Sequence, residues 1–382
     1  MTHPDFKFLR AIGMMIGAVI GVGVFGIPFA FAQSGVPLGL LELFGIGIIM
    51  IVLQFMLAEI TLQTHGKHRL VGYIEIYLGK FWKSVATAAV CANAWGAMLA
   101  YMIIGGSFVH LLLSPILGGS LQWYSYGIAI VAGLLLYFGL QFASKLELFV
   151  IGSLLFLFIS MILLAIPHIQ IANLQTIHWA NTFIPYGIIL FALSSMGIVP
   201  EMKEVLGPQA KSQLGQASLI GMLTVIVLYS LFAVAIVGVT GSATTQAAFE
   251  GLVPVFGNSF RVITSLLGTL TVLSIFVMIG IQLMNTFQVD FKRTHKTAWA
   301  MTILVPIALF AFGFREFVHL VGFIGSVFGG LLGILIVLTY LRMKNKLMCK
   351  IHHCLNFPNV LSWLVFFVFL VGILFKLFQF LL

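Results

Sequence analysis

Long apolar runs separated by short polar segments dominate this chain. A helix that crosses the hydrocarbon core of a bilayer needs about 20 apolar residues, each rising about 1.5 Å. Runs long enough to be candidates occur eleven times. They cover approximately residues 6–32, 37–64, 82–113, 122–140, 146–166, 182–205, 217–239, 260–288, 297–313, 317–341 and 360–381. The pattern predicts an all-α polytopic membrane protein.

Composition agrees with that pattern and narrows the function classes. Of the 382 residues, 61% are hydrophobic and only 8% are charged, whereas a soluble domain carries about 25% charged residues. Soluble enzymes and nucleic-acid-binding domains are therefore excluded as descriptions of the whole chain. We expect one transmembrane domain over residues 1–382, with the lipid bilayer as its surroundings and no obligate protein partner.

The basic residues indicate how the spans are oriented. If the N-terminus is cytoplasmic, sixteen of the nineteen Lys and Arg residues fall on the cytoplasmic side and three outside. Such a bias follows the positive-inside rule. We expect a cytoplasmic N-terminus and an extracytoplasmic C-terminus in the plasma (inner) membrane. The net charge of +9 then reflects topology and says little about the substrate. The three outside residues are Arg261, Arg315 and Lys376.

A secretory signal peptide is an alternative reading of the N-terminus. Lys7 and Arg10 precede an apolar stretch that ends in Ala30-Phe31-Ala32, a small-residue pattern typical of cleavage sites. That stretch is longer than an ordinary signal sequence and contains Pro28. We therefore keep it as the first span.

A group of potential zinc ligands lies in the last predicted cytoplasmic loop. Cys349, His352, His353 and Cys354 have the right side-chain types. Four ligands within six residues could hardly surround one ion tetrahedrally, and a basic loop at the lipid headgroups explains them equally simply. Whether they bind anything is left open.

Glycines and a proline interrupt the first span near the middle of the membrane. Gly21, Gly23 and Gly26 match G-x-G-x-x-G, but the dinucleotide fingerprint needs a preceding strand in a βαβ unit, which is missing here. Close helix packing through glycines is a simpler alternative. It does not explain why Pro28 joins them within eight residues, since glycine and proline both disfavour helix interiors. We predict an unwound helix across these positions.

A second interruption is predicted in span six. Ser194, Ser195 and Pro200 lie in the segment Phe191–Pro200. Irregular backbone at membrane depth is tolerated only inside protein or against an aqueous cavity. Two interrupted helices in corresponding halves of a chain point to the binding site of a transporter.

The two interruptions divide the chain into comparable halves. Spans one to five cover 6–166 and spans six to ten cover 182–341. Because five spans is an odd number, the second half enters the membrane from the opposite side. We therefore predict an inverted five-plus-five repeat with broken helices 1 and 6, followed by an additional helix at 360–381.

Short motifs along the chain resemble those of a known transporter group. They occur in span order as Gly21, Gly23, Pro28 and Gly35; Leu57-Ala58-Glu59-Ile60; Tyr77-Leu78-Gly79; Ala100, Tyr101 and Gly105; and Gly197, Val199 and Pro200. Together they resemble the amino acid–polyamine–organocation (APC) superfamily with the LeuT fold. The most similar groups are the amino acid/auxin permeases and the bacterial aromatic amino acid permeases. Met196 stands where the aromatic permeases often have histidine, which argues against an aromatic substrate.

A broken helix of this kind suits a zwitterion. Unpaired N–H groups at the start of one half-helix suit a carboxylate, and unpaired carbonyls at the end of the other suit an ammonium group. The predicted substrate-binding residues are Val22 and Gly23 for the carboxylate; Val19, Phe191, Ala192, Ser194 and Ser195 for the ammonium; and Phe25 and Tyr101 as the lid over the side chain. No acidic residue lies near mid-depth in spans one, three, six or eight, and no embedded Arg or Lys would hold an anion. The absence of both favours neutral amino acids over polyamines.

Candidates for a coupling ion are few. Thr271 and Ser274 are three residues apart and share a helical face. The resemblance implies a sodium site between these hydroxyls and the carbonyls of Gly17 and Ile20, although the usual second hydroxyl beside Ser274 is missing. Both hydroxyls could instead bond the carbonyls four residues back in their own helix. Glu59 is a possible proton carrier or a structural acid, and Na⁺ and H⁺ both stay open.

The sequence thus predicts an ion-coupled symporter of small or medium neutral amino acids that works by alternating access. No cofactor is expected apart from Na⁺ or H⁺. A permease of amines or other small solutes on the same fold is one alternative, and a transport-inactive scaffold or sensor is another. A membrane-embedded enzyme is disfavoured because the spans hold no cluster of His, Asp or Glu.

Overall fold

The computed structural model describes residues 4–138, 142–289, 291–347 and 358–381. This part of the chain is helical and contains no strand. Its α-helices are α1 (Pro4–Val19), α2 (Gly23–Ser34), α3 (Val36–Gln63), α4 (Leu70–Leu78), α5 (Lys80–Leu117), α6 (Leu121–Tyr137), α7 (Phe142–Ala165), α8 (Ile184–Ala192), α9 (Val199–Leu206), α10 (Ala210–Thr240), α11 (Val253–Val289), α12 (His295–Ala311), α13 (Phe317–Ile324), α14 (Gly330–Leu347) and α15 (Asn359–Leu381). The predicted all-α fold class is confirmed.

Each of the eleven predicted spans coincides with a helix or with a pair of consecutive helices. By length and hydropathy alone, six described helices could cross a membrane, and α1 with α2 would make a seventh as a bent pair. Helices α6 and α12 are shorter, at 17 residues each. The count of eleven spans and the orientation of the termini stay predictions.

The core of the molecule lies where the broken helices meet the long helices. Helix α1 packs against α10, and α2 packs against α8. Helix α8 also contacts α13, while α5 and α11 lie along each other. Each predicted half opens with a broken helix. The inverted relation between the halves, and the single domain that they would form, stay predictions.

The first break is shorter than predicted. It covers residues 20–22, and α1 and α2 meet across it at 59°. Gly26 and Pro28 were predicted to be unwound, but both are helical and buried within α2. A Cβ atom at Gly26 would lie 3.1 Å from the Ile188 side chain and 3.3 Å from that of Phe317. Close packing of α2 against α8 and α13 therefore explains this glycine and favours the helical conformation there.

The second break is also narrower than the predicted segment. It covers residues 193–198, between α8 and α9. Pro200 lies in the first turn of α9, where a missing N–H group costs no helical hydrogen bond. Phe191 and Ala192 end α8, so they are helical although their carbonyls lie at the break.

Three features of the helices were not predicted. Span ten contains a π turn at Gly325–Gly329 between α13 and α14. The short helix α4 lies in the loop between spans two and three, where we had expected only a connection. Inside α11, Gly257 has a φ of 78° and forms a kink, which is a conformation that glycine adopts without steric cost.

Candidate substrate site

The two helix breaks lie against each other in the centre of the molecule. A Cβ atom at Gly23 would lie 2.7 Å from the Cα atom of Ala192 and 2.9 Å from a ring atom of Phe191. One at Gly21 would lie 2.6 Å from the hydroxyl oxygen of Tyr101. Only glycine allows such approaches, so these two glycines let the start of α2 touch both the end of α8 and the α5 tyrosine. The structure thus brings together the two segments that the sequence assigned to one site.

Tyr101 lies at the N–H end of the first break. Its hydroxyl oxygen accepts a hydrogen bond of 2.9 Å from the backbone N–H of Val22, and the side chain is 4% exposed. Val22 was predicted to hold the substrate carboxylate, and Tyr101 to cover the substrate side chain. The observed contact places the Tyr101 hydroxyl beside the predicted carboxylate position instead. A hydroxyl that accepts one bond keeps its own proton for donation, so Tyr101 can serve a carboxylate directly.

Tyr229 of α10 lies at the carbonyl end of both breaks. Its hydroxyl donates to the carbonyl of Val19 at 2.9 Å and reaches the carbonyl of Ala192 at 3.5 Å. Val19 is the last residue of α1 and Ala192 is the last of α8. Carbonyls at a helix C-terminus lack intrahelical partners and carry partial negative charge. Sequence reasoning missed Tyr229 because nothing in span seven distinguishes it from an ordinary core tyrosine.

Ser195 connects the second break to two other helices. The Gln54 side chain of α3 donates a hydrogen bond of 2.8 Å to its hydroxyl oxygen, and the hydroxyl lies 3.4 Å from the sulfur of Met15 in α1. Ser195 is buried, whereas Ser194 beside it is half-buried. Ser195 therefore has structural partners in this conformation, while Ser194 is the more accessible of the two serines. Gln54 is a further polar residue that the sequence did not single out.

Phe25 lies in an aromatic cluster above the first break, on the side predicted to be extracytoplasmic. Its ring centroid is 5.5 Å from that of Phe108 and 5.0 Å from that of Phe249. Phe249 belongs to the loop between α10 and α11. All members of this outer aromatic cluster are at most 2% exposed, which closes that side of the site. The cluster consists of Phe25, Phe108, Phe158, Phe232 and Phe249.

Two small residues beside the breaks are exposed. Gly197 in the second break and Ala18 at the end of α1 are both exposed. Two surface cavities of about 260 and 370 Å³ lie elsewhere, one beside Tyr124 and Leu273 and the other beside His168 and Val239. Helix α1 is thus the more exposed of the α1–α2 pair, whereas the aromatic cluster covers the start of α2.

The candidate ion ligands lie on two helices and at one break. Thr271 is buried and Ser274 half-buried in α11. Among the described residues, neither hydroxyl bonds the carbonyl four residues back, although Thr264 and Thr269 of the same helix do so. Gly17 is half-buried in α1, and Ile20 is buried in the first break.

The possible proton carrier Glu59 and the possible zinc ligands of the last loop remain to be located. Glu59 is 4% exposed in α3. The segment 348–357, which holds Cys349, His352, His353 and Cys354, lies outside the described residues. Within the described ranges, no group of three or more His, Cys, Asp or Glu could hold a metal ion.

Relatives of this chain are amino acid transporters by name. It is 19% identical over 332 residues to glutamine transporter 2 of Aliivibrio fischeri, an alignment that covers 85% of this chain and 86% of that protein. It is 22% identical over 334 residues to tyrosine-specific transport system 1 of Haemophilus influenzae, covering 82% and 83% of the two chains.

Solved structures with the same architecture extend over almost the whole chain. MhsT in complex with L-phenylalanine superposes with a TM-score of 0.68 at 15% identity, covering 97% of this chain and 98% of MhsT. The inward-facing conformation of Mhp1 gives 0.68 at 13% identity, covering 98% and 90%. Both are LeuT-fold transporters, so the predicted LeuT fold is confirmed.

The family follows from the sequence profile that matches this chain. The profile of the tryptophan/tyrosine permease family matches residues 5–379, which confirms the resemblance to APC-type permeases. Members are transporters and not enzymes. The protein belongs to the tryptophan/tyrosine permease family and is a multi-pass amino acid transporter.

Proposed function

We propose that this permease is an ion-coupled symporter of small or medium neutral amino acids. The observation that carries the proposal is the juxtaposition of the two breaks, with a backbone N–H at one end and two helix-terminal carbonyls at the other. Those ends are complementary to a carboxylate and an ammonium group that are held on one carbon atom. The side chains described above at this junction are neutral: Gln54, Tyr101, Ser195 and Tyr229. A net-neutral zwitterion therefore needs no further counter-charge.

Met196, the residue before Gly197, favours a non-aromatic substrate. Met196 is 5% exposed and offers no strong hydrogen-bonding group to an aromatic side chain. One relative is named for glutamine and another for tyrosine, so both substrates are candidates by similarity. We favour glutamine, which is a neutral amino acid of medium size.

The coupling ion is proposed on the hydroxyls of α11. Because the hydroxyls of Thr271 and Ser274 do not bond back along their own helix, they are available to coordinate Na⁺, which prefers oxygen ligands. Gly17 and Ile20 would supply carbonyl oxygens from the first broken helix. Glu59, buried in α3, is the residue that would carry a proton instead.

Uptake into proteoliposomes tests this function. The purified chain is reconstituted, and uptake of labelled glutamine is measured under an inward Na⁺ gradient and, separately, under an inward H⁺ gradient, with protein-free liposomes as the control. We expect gradient-driven uptake that unlabelled alanine and leucine reduce and tryptophan does not. Acceleration by sodium would support the Thr271–Ser274 site, and acceleration by protons would favour Glu59. Absence of uptake and binding for every amino acid tried would contradict the proposal.

A further inference from the structure

The Tyr229 hydroxyl contacts the carbonyls that were predicted to bind the substrate's ammonium group. The carbonyls of Val19 and Ala192 end two different half-helices, and both were predicted to receive the substrate ammonium. In this structure the Tyr229 hydroxyl lies between them, at 2.9 Å from one oxygen and 3.5 Å from the other. One tyrosine on a third helix thus joins the two carbonyl ends of the site.

The geometry shows how a single hydroxyl can do this. A tyrosine hydroxyl has one proton to donate. The shorter contact shows that the hydrogen bond goes mainly to the Val19 carbonyl. Each carbonyl oxygen has two lone pairs, so Val19 can accept from Tyr229 and still accept from an ammonium group. Tyr229 is 0% exposed, so water does not compete for the bond. The hydroxyl therefore orients the carbonyls without blocking them.

The two tyrosines of the site are complementary in this respect. Tyr101 accepts from the N–H of Val22, as a carboxylate would, and Tyr229 donates to Val19 and Ala192, as an ammonium would. Each hydroxyl thus contacts the backbone groups of one predicted pole of the zwitterion site. The two poles can therefore be tested separately.

Resting on the proposed transport of amino acids, we propose that Tyr229 is a positioning residue that fixes the Val19 and Ala192 carbonyls as a two-point acceptor for the substrate's amino group. It thereby determines how strictly the transporter requires a primary ammonium. Without the hydroxyl, two carbonyls at membrane depth lose their donor and their common orientation. An N-methylated amino acid, which has one N–H fewer, should then be rejected less strongly relative to the parent amino acid.

The test compares inhibition constants in proteoliposomes. For the wild type and for Tyr229→Phe, uptake of labelled substrate is inhibited with the parent amino acid, its N-methyl derivative and its carboxamide. In Tyr229→Phe we expect KM to rise about tenfold, the size of effect that loss of a buried hydrogen bond produces. The preference for the parent over the N-methyl derivative should fall several-fold, while the preference over the carboxamide stays unchanged. Tyr101→Phe should show the opposite pattern.

A matched control separates positioning from general destabilisation. Tyr186 also donates its hydroxyl to a backbone carbonyl in the membrane, that of Val368 at 3.2 Å, but between α8 and α15. Tyr186→Phe should leave both preferences unchanged. If Tyr229→Phe is not recovered from the membrane, 4-fluorophenylalanine at position 229 fills the space of the hydroxyl without donating and should give the same result.

The outcomes distinguish this inference from the proposed function. If the wild type transports amino acids and the N-methyl preference is the same in Tyr229→Phe, Tyr229 has only a structural role and the inference is wrong. If the wild type transports no amino acid, the proposed function fails instead, before this comparison is made.

Discussion

Single residues at the breaks determine whether the half-helices can approach. Gly23 is the most constrained of them, because the atom that its Cβ would meet is backbone and not the end of a flexible side chain. A neighbouring backbone cannot move aside without displacing the end of α8. The same reasoning makes Gly21 sensitive, although there the neighbour is the side chain of Tyr101.

Replacing Gly23 by alanine should therefore reduce transport strongly without preventing membrane insertion. Overpacking of a close contact costs about 1–3 kcal/mol, and here the strain falls on the two segments that form the site. The control is Gly45→Ala in α3, where the added Cβ would meet nothing within 4 Å. We expect uptake to fall at least about tenfold in Gly23→Ala and to stay near wild type in Gly45→Ala, at equal protein content in the membrane. Normal uptake by Gly23→Ala would move the substrate away from the first break.

At the scale of helices, α9 is docked on the end of α3 at the predicted cytoplasmic side. Lys203 of α9 donates to the carbonyls of Thr61 and Thr64. These carbonyls lie at the C-terminal end of α3, where the helix supplies no further N–H donors. A lysine at a helix C-terminus is stabilised by the helix dipole. The second broken helix is thus attached to α3 at two points. Gln54 binds Ser195 in the break, and Lys203 of α9 binds the end of α3.

Removing the Lys203 amino group should weaken this junction more than removing an exposed ion pair. Lys203→Met loses hydrogen bonds from a charged donor to helix-terminal carbonyls, which contribute about 1–2 kcal/mol after partial solvation is considered. Lys67→Met loses only the pair with Glu204, whose lysine side chain is 81% exposed, and such pairs contribute about 0–1 kcal/mol. Thermal unfolding in detergent should show a lower midpoint for Lys203→Met than for Lys67→Met. Equal midpoints would mean that Lys203 does not stabilise the junction.

For the whole molecule, burial is unequal around the two helix breaks. The members of the outer aromatic cluster are buried, whereas Gly197 and Ala18 beside the breaks are exposed. The proposed transport by alternating access requires that the site open to each side of the membrane in turn.

Cysteine accessibility can check both this state and the predicted topology. In a chain whose three native cysteines are replaced, Gly197→Cys should react with a membrane-impermeant thiol reagent only from the cytoplasmic side, because a Cβ at Gly197 meets nothing within 4 Å. Ala247→Cys, buried at 4% exposure in the outer loop, should react slowly from either side. Addition of substrate should slow the labelling of Gly197→Cys. Rapid labelling of Gly197→Cys from the outside alone would reverse the assigned orientation.

The local sequence was enough to predict the class, the helices and both helix breaks. Hydropathy reports on runs of neighbouring residues, so all eleven candidate spans coincide with helices. The glycines of the first span and the Ser-rich segment of the sixth marked both breaks, because backbone preferences are local. Those signals could not set the limits of the first break, because Gly26 packs closely against Ile188 and Phe317 on other helices and, like Pro28, lies within α2.

Only the tertiary structure identified the partners of the exposed backbone groups. Tyr229 is 210 residues from Val19 and 37 from Ala192 in the chain, and a tyrosine in an apolar helix has no local feature that tells which carbonyl it meets. The contacts of Gln54 and of the aromatic residues around Phe25 could not be predicted for the same reason. The sequence by itself determined a broken-helix permease of amino acids, because hydropathy and helix propensity belong to short segments. Which hydroxyl meets which backbone group at the breaks was decided by the packing of helices distant in sequence, because hydrogen bonds between side chain and backbone depend on three-dimensional proximity.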